Sequence, residues 1–180
     1  MIVVSDTTPL ITLIKASLLD VLYALYKEIQ IPDAVYAELS ASNDYQDEAE
    51  IIKSSHFIKV VSVENYQSVR SLQESTGLDL GESEAIIYAE ESNADTLLMD
   101  ETAGRKIAKS MGIHIMGSIG IIIAAYDEGI IKAEDVWISV EKIRNSNRWI
   151  SNALLQYVLE YVKKMPEKTS FLFSEFSSRD

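Results

Sequence analysis

Short runs of β-branched and apolar residues alternate with longer stretches of helical period along most of this chain. That alternation restricts the fold more than any other feature. Residues 2–5, 28–31, 57–63, 96–99 and 113–116 read as strands, several of them closed by polar or turn-forming residues. Between them apolar residues recur at helical spacing: Leu10, Leu13 and Ile14, then Leu18, Leu19, Leu22 and Leu25. Thr7 or Thr8 can cap the first helix, and Pro9 is tolerated in its first turn. Further helices are expected over residues 33–41, 43–54, 65–76, 81–91, 101–111 and 118–128, with Gly77, Gly112 and Gly129 as stops. Strands and helices in alternation bury most surface as a parallel sheet with helices on both faces, an α/β sandwich of three layers.

With 180 residues the chain suffices for one complete core and is short for two. Residues 1–131 carry the alternating pattern. Residues 132–165 show only helical patterns with no linker before them, and read as a C-terminal extension of the same domain. Pro166 ends the last helix. The tail 166–180 holds Phe171, Phe173 and Phe176, three of the four Phe residues. This concentration predicts packing against a neighbouring subunit or partner.

Composition excludes several chemistries. There is no cysteine, so disulfides, zinc–thiolate sites and cysteine nucleophiles are absent. The longest apolar stretch, 119–125, is too short to span a bilayer, and no basic segment leads into an apolar one near the start. The expected address is the cytoplasm. A net charge of −12 argues against a protein that coats nucleic acid by neutralising phosphates. It leaves open an enzyme that meets phosphate through a cation.

Four acidic residues stand out by position. Asp6 and Asp100 each follow a short apolar strand, and ligands in open parallel sheets sit beyond the carboxyl ends of strands. Glu38 lies on the helix begun by Ile-Pro-Asp, and Glu84 in the opening of Gly-Glu-Ser-Glu-Ala-Ile-Ile. Taken singly, each has an ordinary explanation as a helix cap, a dipole partner or a solvated side chain. Taken together, four converging carboxylates repel one another unless a cation joins them, and Mg²⁺ or Mn²⁺ prefers such ligands. Glu82 competes with Glu84 for its place, and Glu101 with Asp100. Ser5, Thr7 and Ser118 can hydrogen-bond the carboxylates, and Arg105 can guide a phosphate backbone toward them. His56 and His114, far apart and in strand-like surroundings, read as packing or surface residues.

The segments Val-Ser-Asp6-Thr-Thr-Pro-Leu-Ile, Ile-Pro-Asp-Ala-Val-Tyr-Ala-Glu38-Leu, Leu-Gly-Glu-Ser-Glu84-Ala-Ile-Ile and Leu-Leu-Met-Asp100-Glu, in this order, resemble the PIN domain superfamily and its VapC-like branch. The resemblance spans about residues 2 to 131. It implies a PIN-like sandwich of helices around a central parallel sheet and Mg²⁺- or Mn²⁺-dependent cleavage of RNA. Asp6, Glu38, Glu84 and Asp100 would be the catalytic metal ligands, with Glu84 replacing the Asp often found at the third position. It also implies a homodimer and the toxin role of a type II toxin–antitoxin pair, inhibited by a small antitoxin protein. Two other readings compete. One is a catalytically silent PIN-like binding module. The other is a phosphohydrolase of the haloacid-dehalogenase type, which wants a second Asp where Thr8 stands.

Overall fold

A computed structural model describes residues 1–41, 45–146 and 150–165. The aromatic tail 166–180 lies outside the described residues. Five strands form one sheet: β1 (Val3–Ser5), β2 (Ile29–Pro32), β3 (Ile58–Val61), β4 (Thr96–Leu98) and β5 (Ile115–Met116). All pairings are parallel, in the order β3-β2-β1-β4-β5. The helices are α1 (Thr7–Lys15), α2 (Asp20–Tyr26), α3 (Asp33–Ala41), α4 (Gln46–Ser54), α5 (Tyr66–Thr76), α6 (Leu80–Glu91), α7 (Thr102–Ser110), α8 (Ser118–Asp127), α9 (Ala133–Arg144) and α10 (Asn152–Lys164).

The pleat divides the core. Val3 and Leu98 join one cluster with α1, α2, α8, α9 and α10, while Val4, Leu97 and Met99 join another with α6 and α7. Successive strand side chains point to opposite faces, so both faces of this sheet need apolar cover, and the near-continuous apolar runs supply it. The two C-terminal helices pack into the first cluster through Val136, Val140, Ile143, Leu155, Val158 and Val162. The Tyr126 hydroxyl, on α8, fastens the end of α10 by donating to the Met165 carbonyl at 2.7 Å. Among the described residues no single helix is long and apolar enough to cross a membrane; the bent pair α1–α2, apolar enough when taken together, turns by 119° at its break.

The strand order positions the site. From β1 the chain steps outward through β2 to β3, then returns to β4 on the opposite side of β1. A crevice opens where the order reverses, above the carboxyl ends of β1 and β4. Asp6 leaves β1 there, with its backbone N–H bonded to the Leu98 carbonyl at 3.0 Å. Asp100 follows β4 by two residues.

One local expectation changes. Thr7 and Thr8 lie inside the first turn of α1, and Asp6 itself occupies the N-cap position, its side chain accepting no capping bond from the first-turn N–H groups. The strand therefore passes into the helix with no intervening loop, and this holds Asp6 at the sheet edge.

Candidate metal centre

Asp6 is only 3% exposed. Burial pushes its carboxyl up to about 7, opposed by a hydrogen bond from the Thr7 backbone and reinforced by the charges of Glu82, Asp79 and Glu38. These three carboxylates come from two different helices. Glu38, exposed on α3, accepts a 2.6 Å hydrogen bond from the Thr7 hydroxyl, which fastens it to the start of α1. Asp79 is the N-cap of α6 and Glu82 the third residue of its first turn. They form a reciprocal capping box: the Glu82 N–H donates to Asp79 Oδ1 at 2.8 Å, and the Asp79 N–H donates to Glu82 Oε2 at 3.1 Å. Burial raises the Glu82 carboxyl too, with the charges of Asp79, Glu101 and Glu38 adding to it.

Glycine makes the approach of these helices possible. A Cβ built on Gly81 would stand 3.3 Å from Glu38 Oε2 and 3.5 Å from Asp79 Oδ1, so both carboxylates lie against the bare backbone of α6. On Gly104 of α7 it would meet Glu82 Oε1 at 3.4 Å and Met99 Sδ at 2.5 Å. Glu82 is thus enclosed between α6 and α7, near the middle of the acidic group.

Glu84 has a different place. It is 5% exposed, and its Oε2 accepts the Ala34 backbone N–H at 2.9 Å. That N–H is one of the unpaired donors at the start of α3. Glu84 therefore ties α6 to α3 as a cap supplied from another helix. Of the two rivals on α6, Glu82 is the one whose charge acts on Asp6, while Glu84 caps α3. The reason is rotation. Two residues along a helix turn the side chain by about 200°, so the two glutamates leave α6 on opposite sides.

Asp100 stands just beyond β4, the strand paired with β1. Its Oδ1 accepts the Ser118 N–H at 2.7 Å and its Oδ2 the Ser118 hydroxyl at 2.8 Å, at the N-terminus of α8. Arg105 turns inward and donates to the Met99 carbonyl at 2.7 Å. A Cβ on Gly117 would lie 2.9 Å from Asp100 Oδ1 and 3.0 Å from Arg105 Nη1, which puts both groups over one glycine. Arg105 thus braces the Met99–Asp100 turn instead of reaching outward for a phosphate. The Ser5 hydroxyl donates to the Asp6 carbonyl at 2.8 Å and not to a carboxylate. His114 meets the Thr96 hydroxyl at 3.2 Å, and His56 packs edge-on against Tyr23 and Phe57.

The sequence reading missed Asp79. Its signal was an acidic residue three positions before Glu82, the spacing of a capping box.

A family model described as a PIN domain matches residues 2–164. The chain belongs to the PIN domain family. The match runs through the C-terminal helices as well as the alternating β/α part. No curated protein matches the chain. The PIN domain is a nuclease-type fold, and PIN domains typically use divalent metal ions.

The donors around Asp6 suit such an ion in kind: all are carboxylate oxygens, and that of Asp6 has its proton affinity raised chiefly by burial and further by like charges. Among the described residues, no group of three or more Asp, Glu or His is arranged to hold an ion as they lie. Thr7 holds one oxygen of Glu38 and the Asp79 N–H one oxygen of Glu82, and a carboxylate so held can still offer its other oxygen to a cation.

Proposed function

We propose that the protein is a ribonuclease that hydrolyses RNA phosphodiester bonds with Mg²⁺ or Mn²⁺. Asp6, Glu38 and Glu82 would hold the cation, with Asp100 just beyond the neighbouring strand β4. The observation that carries this reading is the buried Asp6, whose charge is opposed by three other carboxylates at the switch point of the sheet. A divalent cation bound there would supply charge neutralisation, activation of a water and orientation of the phosphodiester. In hydrolysis the water oxygen bonds to phosphorus, the phosphorus–oxygen bond to the leaving nucleoside breaks, and the released proton passes to that oxygen. The chain's own part is to hold the acids. Thr7 aims Glu38, the Asp79 cap aims Glu82, and Ser118 with Arg105 fixes Asp100.

Within this proposal the protein acts as the toxin of a type II toxin–antitoxin pair, as a homodimer in the cytoplasm, restrained by a small antitoxin protein that covers the crevice. The resemblance to VapC-like proteins supports that role. A second reading, a catalytically silent PIN-like binding module, is favoured by the fact that no three acids among the described residues lie arranged to hold an ion.

Calorimetric titration with Mn²⁺, wild type against Asp6→Asn, separates the two when run beside cleavage of a labelled RNA. Binding and cleavage that both vanish in the variant support the ribonuclease. Absence of metal binding by folded wild type supports the silent module.

A further inference from the structure

Beside Asp100 lies a partly enclosed cavity of about 250 Å³, whose lining includes Thr8, Glu101, Thr102, Ser118, Ile150 and Leu154. We propose that this cavity holds one base of the RNA next to the cleaved phosphodiester, and that the base is guanine. The proposal deepens the ribonuclease reading and rests on it for the identity of the ligand.

Four observations converge. The first is size: ligand cavities for drug-sized molecules run from about 300 to 1,000 Å³, so this one suits a single base and not a dinucleotide. The second is the apolar wall. Leu154, 43% exposed on the first turn of α10, and Ile150 just before that helix both line the cavity. Leu154 leaves apolar surface open to the cavity, and a planar base would cover it. Bases removed from a stack are held between apolar or aromatic side chains in this way.

The third observation is charge. Among the described residues, the charged ones lining the cavity are Asp100 and Glu101. A phosphate is therefore a poor occupant, whereas a neutral group rich in N–H donors suits it. The fourth is the state of the two acids. Both Asp100 oxygens already accept from Ser118. Glu101 is exposed and occupies the N-cap position of α7, yet its side chain makes no capping bond. Glu101 also lines the cavity, and its carboxylate can accept hydrogen bonds there.

Guanine places an imino N–H and an amino group side by side on its pairing edge, so one carboxylate can accept from both. Uracil offers a single N–H flanked by two carbonyls, which the Glu101 charge would repel. Asp100 thus serves the reaction centre while its neighbour in sequence reads the adjacent base.

The test uses nucleosides, which carry no phosphate and isolate the base. Guanosine and uridine are titrated into metal-free protein and followed by amide chemical shifts, with Glu101→Gln and Leu154→Asp as variants. Both side chains are exposed, so both variants are expected to fold. Guanosine should shift the amides of Thr8, Thr102 and Leu154 and bind at least about tenfold more tightly than uridine, the size of a hydrogen bond to a charged group. Glu101→Gln should remove that preference, and Leu154→Asp should weaken both nucleosides. Equal binding of the two, no shifts around the cavity, or an unaltered preference in Glu101→Gln would overturn the proposal. A Mn²⁺ titration and RNA cleavage by the same wild-type sample keep the two readings apart. Cleavage without guanosine preference sinks the base pocket alone. Guanosine preference without metal binding or cleavage sinks the ribonuclease alone.

Discussion

Replacing Asp6 by Asn should make the metal-free protein more stable, and the gain should depend on pH. In the fold the Asp6 carboxyl ionises near 7, whereas the unfolded chain ionises near 3.8. Below about pH 4 both states are protonated and Asp6 contributes nothing. From pH 4 to 7 the unfolded state gives up its proton while the folded state keeps it, so stability falls as pH rises, by about 1.4 kcal/mol per pH step. Above pH 7 both states are ionised and the full penalty stands, about 4 kcal/mol. With Asp6 3% exposed, little solvent screening reduces it. Asparagine has no charge to bury and is well suited to an N-cap position. At pH 8 the variant should therefore melt roughly 8–16 °C higher than wild type, at about 2–4 °C per kcal/mol for a domain of this length. Urea unfolding in EDTA at pH 5, 6, 7 and 8 measures the difference directly. The gap between the two proteins should be about 1.6 kcal/mol at pH 5 and widen to about 4 kcal/mol by pH 7 to 8. Mn²⁺ should then stabilise wild type at pH 8 and leave the variant unmoved. Parallel pH curves for the two proteins would refute the reasoning, because they would mean that Asp6 is not a buried charge opposed by its neighbours.

Three further expectations follow from the same geometry. Glu84→Ala removes a buried acceptor from the Ala34 N–H and should lower stability by about 2 kcal/mol while Mn²⁺ affinity stays close to wild type in calorimetry; lost affinity with intact stability would restore Glu84 to the metal centre. Glu82→Gln should weaken Mn²⁺ binding at least about tenfold, since it withdraws a charge from the ligand set, and calorimetry showing unchanged affinity would exclude it as a ligand. Gly104→Ala forces a Cβ to within 2.5 Å of the buried Met99 Sδ and should cost about 1–3 kcal/mol by overpacking, read as a lower urea midpoint.

Much of this architecture was legible in the residue pattern. Runs such as Ile2–Ser5 and Thr96–Met99 are too short for helices and too apolar for loops, so they had to be buried strands, and each carries an acid just beyond it. Helix boundaries shifted by one to three residues because capping groups decide them: Asn65 caps α5 with its side chain on the Ser68 N–H, and Asp79 caps α6. The C-terminal helices were visible as periodic patterns. That the start of α10 brings Ile150 and Leu154 beside Asp100 was not, because no local preference records which remote surface a helix meets.

The third acid shows the boundary between the two kinds of information. Sequence placed Glu82 and Glu84 on one helix that opens beside the crevice. It left the two as rivals for one place. Which one takes it depends on how α6 is rotated against both the sheet and α3, and that rotation is set by packing among residues far apart in the chain. Only the tertiary structure turns Glu82 toward Asp6 and sends Glu84 to cap α3.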